Sequence, residues 1–166
     1  VIIVSVFGAY SLCRYGMPDF RSPVDLIIHQ IKEEVIMDTR VKELSRVLTS
    51  YSCDLKKGEK VLIDYEGECA RPLVRQLIKD AYKLGARPYV NHRDSSVLRE
   101  ILLCADEEQI EFLNDYQLYQ MKGMDAYIAV RASDNTSELS DVPSDKLNLY
   151  SKMLRPVIDE RVDHTK

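Results

Sequence analysis

KVLIDYEGECARPLVRQLIKDAYKLGARPYV, residues 60–90, decides the fold. Val61, Leu62 and Ile63 form a continuous apolar run, the pattern of a strand buried on both faces, where alternation has no reason to survive. Residues 64–68 break that run with acidic side chains. Pro72 sits where a first helical turn tolerates proline, because its missing N–H would have had no partner there. Leu73, Val74, Leu77, Ile78 and Ala81 then recur at helical spacing, and Gly85 follows Leu84 as a cap that can take positive φ. Pro88, Tyr89 and Val90 open a second strand. Strand, helix and strand in so short a span require a parallel crossover, which is almost always right-handed.

Outward from this unit the chain keeps the same alternation. Upstream, DTRVKELSRVLTSYS (38–52) places Val41, Leu44, Val47, Leu48 and Tyr51 on one helical face, behind an acidic start that suits the helix dipole. Downstream, Ser95 or Ser96 can cap a helix carrying Val97, Leu98, Ile101, Leu102 and Leu103. Asp106 begins another, with Ile110, Leu113, Tyr116 and Leu118 as a rougher stripe. Ala126 to Val130 read as a third strand, and Pro143 stands at the start of a last helix that Arg155 and Pro156 should end or kink. The expected fold class is α/β: a layered domain with a mostly parallel sheet flanked by helices.

At 166 residues the chain suits one domain with a full core. Its formal net charge of −4 argues against nucleic acid as a partner, which would call for a basic face. No apolar run approaches the roughly 20 residues of a membrane span, so no membrane partner is expected. Cys13, Cys53, Cys69 and Cys104 lie far apart without C-x-x-C spacing, and read as free thiols in a reducing cytoplasm.

VIIVSVFGAYSL (1–12) has the length of a signal-peptide core but neither the basic segment before it nor the cleavage site after it. Residues 13–23 are turn-rich, and 25–36 carry only a short, poorly capped helical pattern. From Met37 onward every segment has a clear period. Codons for Lys32, Glu33, Glu34 and Val35 can spell a purine-rich ribosome-binding tract ahead of an ATG at Met37. Residues 1–36 are therefore expected to be an unmatched leader, not native domain, and 37–166 the domain.

Few residues invite chemistry. Asp64, Glu66 and Glu68 stand where open α/β sheets bind ligands, at the carboxyl end of a strand, and could hold a cation or act as acid and base. The blander reading, which the spacing favours, is that Glu66 and Glu68 decorate a helix N-terminus. A phosphate cradle fits poorly, since EGECARP has one glycine and several anionic side chains. His29, His92 and His164 are too widely separated for a local metal motif, although His92 follows a strand end and could face the acidic loop. Cys69, near a helix N-terminus, has no evident base and reads as a small packing residue. On these residues alone the chain is a soluble α/β domain without an identified reaction.

The order and wording of three segments say more. MDTRVKELSRVLTSYSCDLKKGEKVLIDYEGE (37–68), MDAYIAVRASDNTSELSDVPSDKL (124–147) and RPVIDERVDHTK (155–166) resemble the N-terminal part of the thermophilic metalloprotease family, of the aminopeptidase S and aminopeptidase T type. The resemblance runs continuously over 37–166. It implies a cytoplasmic exopeptidase that removes amino-terminal residues from peptides with a divalent metal pair such as zinc, cobalt or magnesium, and an N-terminal α/β domain that takes part in a homodimer. The family's ligands, glutamates, histidines and an aspartate, belong to its C-terminal half. Hence no catalytic, cofactor-binding or metal-ligating residue is assigned here, no metal is expected on these residues, and the chain is expected to be an inactive gene fragment. Two other readings remain: a stand-alone α/β dimerisation or interaction module, and a small-ligand domain with its site near residues 64–68.

Overall fold

The computed structural model describes residues 2–5, 39–132, 135 and 137–166. Cys13, His29, the turn-rich 13–23 and the weak helical pattern over 25–36 lie outside the described residues. Among the described residues four strands form one sheet in the order β1-β4-β2-β3: β1 (Ile2–Ser5), β2 (Lys60–Glu66), β3 (Arg87–Arg93) and β4 (Ala126–Arg131). Every pairing is parallel. The expected α/β layered fold is the one observed. β2 runs between β3 (Lys60↔Arg87 to Glu66↔Arg93) and β4 (Val61↔Ala126 to Glu66↔Arg131). At the far edge the backbone of β1 pairs with residues 128–131 of β4, so one strand comes from residues ahead of Met37.

Apolar character on both faces of β2 follows from helices on both sides. Val61 and Ile63 point into a core with Leu73, Val74, Leu77 and Ala81 of α2 (Arg71–Lys83), joined by Leu48. Leu62 points the other way, with Tyr127 and Ala129 of β4, toward Met121 of α4 (Glu107–Lys122) and Val157 of α5 (Ser144–His164). A third cluster, Leu102, Ala105, Ile110 and Val142, packs α3 (Ser95–Cys104) against its neighbours. Because β2 leads to β3 on one side while β4 returns on the other, the strand order reverses between β2 and β4. Ligands of open α/β sheets bind outside the carboxyl ends of such a pair.

Local expectations are refined at several points. Gly85 has φ +78, as a left-handed cap requires. A Cβ there would also lie 3.1 Å from Lys57 Cγ. Gly85→Ala should therefore cost about 1–2 kcal/mol, chiefly from the left-handed backbone, as a lowered urea midpoint at unchanged slope will show.

Helix α1 (Thr39–Arg46) is shorter than the 38–52 period suggests and continues as a π-helical segment, Val47–Ser52. Asp38 lies outside the described residues, and the first turn of α1 carries no acid. The wider winding, with Cys53 N–H donating to Leu48 O at 3.0 Å, turns the face. Tyr51 becomes 84% exposed, whereas Ser45 and Thr49 are buried. Ser45 Oγ–H donates to Asp80 Oδ2 at 2.8 Å, which satisfies a hydroxyl that would be costly buried alone.

Asp94, not Ser95 or Ser96, caps α3: its carboxylate accepts from Ser96 N and Val97 N. Asp106, expected to begin the next helix, is its N-cap and accepts from Gln109 N–H, but Tyr116 is exposed and the inward positions are Ile110, Asn114 and Met121. Helix α5 runs through Pro156 to His164. Proline deprives the Lys152 carbonyl of its donor; both residues are exposed, so water can serve that carbonyl, while buried Val157 holds the helix on the sheet.

Candidate functional site

Continuing β2 to Glu66 decides what its carboxylates do. Asp64 lies within the strand and not in a loop; alternation directs it, like Leu62, toward the α4 and α5 side. It is fully buried. Arg93, at the end of β3, donates Nε–H at 2.8 Å to each of its oxygens. Tyr127 O–H donates to Oδ2 at 2.7 Å. Arg131, at the end of β4, stands further off, with Nη2 3.5 Å from Oδ2 and Nη1 3.4 Å from the Asp64 carbonyl oxygen. Arg161 reaches in from α5 and lies over the Tyr127 ring, 4.7 Å from its centroid. Its Nε is buried without a hydrogen-bond partner among the described residues.

The electrostatics follow from that crowding. Burial raises the Tyr127 phenol, and the neighbouring Asp64 charge raises it further. Burial pulls Arg93 down, but Asp64 more than restores it and its pKa ends above the ordinary value. For Arg161 burial dominates and the charges of Arg93 and Arg131 add to it, so its pKa falls below the usual guanidinium value. One buried carboxylate is the common partner of this group.

The other sequence candidates are not brought to it. Glu66 accepts a hydrogen bond from Ser95 Oγ–H, and Glu68 pairs with Arg71 at 2.8 Å on the surface. His92 does not face Asp64; it stacks on Tyr65, ring centroids 4.6 Å apart, on the opposite side of the sheet, because it shares Tyr65's register position. His164 ends α5, exposed. Cys69 packs against the α2 core as expected. It is disulfide-bonded, however, not the free thiol expected, a pairing that spacing without a C-x-x-C motif does not reveal. Cys53 and Cys104 are free, and burial pushes the Cys53 thiol up. Arg93, Tyr127, Arg131 and Arg161 were not singled out from the sequence. The available signal was a lone Asp inside an apolar strand, with an arginine closing each of the two later strands.

Residues 37–166 match the thermophilic metalloprotease (M29) family. The chain belongs to that family. No curated protein matches it significantly. Among solved structures it is similar to wild-type AmpT from Thermus thermophilus, with a TM-score of 0.59 and 23% identity over 76% of this chain and 34% of that one. That likeness supports the fold, and the chain spans about a third of the AmpT length. Membership in the metalloprotease family implies a divalent metal. The carboxylates at the end of β2 and just past it do not fit one: Asp64 is occupied by Arg93 and Tyr127, Glu66 by Ser95 and Glu68 by Arg71. Among the described residues no group of three or more His, Cys, Asp or Glu side chains is placed to hold a metal ion. No described helix is long and apolar enough to cross a membrane.

Proposed function

We propose that residues 37–166 are the N-terminal α/β domain of a metal-dependent aminopeptidase that removes amino-terminal residues from peptides in the cytoplasm, and that residues 1–36 are a leader foreign to that family domain, although Ile2–Ser5 pair with the edge of its sheet. The observation that carries this reading is the continuous family match over 37–166. In it the metal pair, zinc, cobalt or magnesium, is held by a catalytic half beyond these residues, and the domain supports that half and helps form a homodimer. The buried Asp64 cluster suits such a role, because its carboxylate is satisfied internally and ties three strands of the sheet, β2, β3 and β4, together.

The 166-residue chain by itself should then be inactive. Purified and incubated with amino-acid p-nitroanilides and cobalt or zinc, it should release no nitroaniline above the buffer rate, whereas the same domain joined in frame to a metal-binding half should turn over. Chelator-sensitive turnover by the chain alone would overturn the division of labour. A longer protein without peptidase activity would overturn the function itself.

A further inference from the structure

The arginines around Asp64 outnumber what it can neutralise. Most of its acceptor capacity is taken by Arg93 Nε–H, at 2.8 Å to both oxygens, and by Tyr127 O–H at 2.7 Å. Among the described residues Arg131 is held through contacts of 3.4 and 3.5 Å. Arg161 rests on an aromatic ring, with its Nε buried and unpaired among the described residues. Among the described residues, even with Glu66 counted, two carboxylates meet three guanidinium groups, and the Glu66 carboxylate is engaged with Ser95. A buried donor without a partner and a guanidinium short of countercharge are each costly. An oxyanion offers the missing acceptors, and planar guanidinium forks suit carboxylate and phosphate alike.

Position agrees with chemistry. Arg131 ends β4, whose register partner is Glu66 at the end of β2, so it stands at the strand pair where the order of the sheet reverses. The side chains of Arg93 and Arg131 keep 29% and 28% exposure, so solvent and a small solute reach this edge. The acidic wording of residues 64–68 argues against an anion only while those carboxylates are free; here Asp64 is spent on Arg93 and Tyr127. We propose that Arg131 and Arg161, oriented by Asp64 and Tyr127, form a receptor for the oxyanion group of a small ligand, a carboxylate or a phosphate. This site is separate from the metal chemistry assigned above to the catalytic half and does not depend on it.

The test uses the full 166-residue chain. Its thermal midpoint and heat of binding are followed with inorganic phosphate in one arm and acetate in the other, against sodium chloride at equal ionic strength. A saturable rise in Tm of a few degrees is expected with at least one oxyanion and not with chloride; phosphate alone, acetate alone or both identifies the group preferred. Arg161→Met keeps the apolar stem over Tyr127 and should weaken binding by about tenfold or more. Arg155→Gln, which changes an exposed arginine paired with Asp159, should bind as the parent does. Should Arg161→Met fail to fold, Arg131→Gln takes its place. Arginine Nε–H resonances of the unsubstituted chain give a further reading, with a saturable shift expected on titration. Absence of an oxyanion-specific rise in both arms, equal binding by the arginine variant, or unmoved Nε–H resonances overturns the proposal.

Discussion

Asp64→Ala should remove about 3–5 kcal/mol of stability, the cost of leaving a buried charge cluster without its counterion. Against the 5–15 kcal/mol typical of a domain, that is a large share of the whole. The reason is specific to this site. Arg93 loses the acceptor for both of its 2.8 Å contacts, and the Tyr127 hydroxyl loses its partner. Arg93, Arg131 and Arg161 are then left facing one another around a cavity. Asp64→Asn keeps the volume and an acceptor but not the charge, and should fall between the parent and the alanine variant. Urea unfolding followed by circular dichroism measures both. A loss below about 1 kcal/mol for Asp64→Ala would mean that the arginines swing into water at little cost, contrary to the part-buried positions assigned to them.

Leu77→Ala should be nearly as severe, at about 2–5 kcal/mol, through lost burial and the cavity left behind. Leu77 is fully buried against the sheet, whereas the adjacent Ile78 is only partly buried. Ile78→Ala should therefore cost distinctly less, although isoleucine and leucine carry the same number of methyl and methylene carbons. The pair reads the orientation of α2 directly, since one residue of helix rotates the side chain by about 100°. Equal losses in the two variants would place the buried face of α2 between them and contradict its packing on Val61 and Ile63.

Much of the fold was legible from local signals. β2, α2 and β3 are marked by an apolar run, a helical period closed by Gly85, and a proline-led strand, each needing only neighbouring residues to be read. The same holds for β4, whose residues 126–130 are all buried. Misreadings arose where winding or solvent access overrode pattern. The π-helical segment turned Tyr51 outward, and the exposure of Pro156 let α5 continue past a residue that usually interrupts a helix. Asp94 took the cap from Ser95 and Ser96 because β3 extends to Arg93, which moves the helix start one residue from where the hydroxyls suggested.

The candidate site was legible only as a position. Its place at the end of β2 follows from strand order, but Asp64, Glu66 and Glu68 looked alike as three acids in a turn. Alternation puts Asp64 and Glu66 on one face of β2, and depth separates them: Asp64 is buried toward α4 and α5, Glu66 ends the strand against Ser95, and Glu68 lies past it on the surface with Arg71.

Residue order alone therefore determined the parallel strand-helix-strand unit at 60–90, the layered α/β class and the family wording of 37–166, because periodicity, caps and phrase order are properties of contiguous residues. The tertiary structure decided that Asp64 is a buried counterion with arginines to spare. Its partners Arg93, Tyr127 and Arg131 lie 29, 63 and 67 positions away. Charge compensation in a low-dielectric layer depends on which strands are neighbours and which face each side chain takes, and no local pattern carries that information.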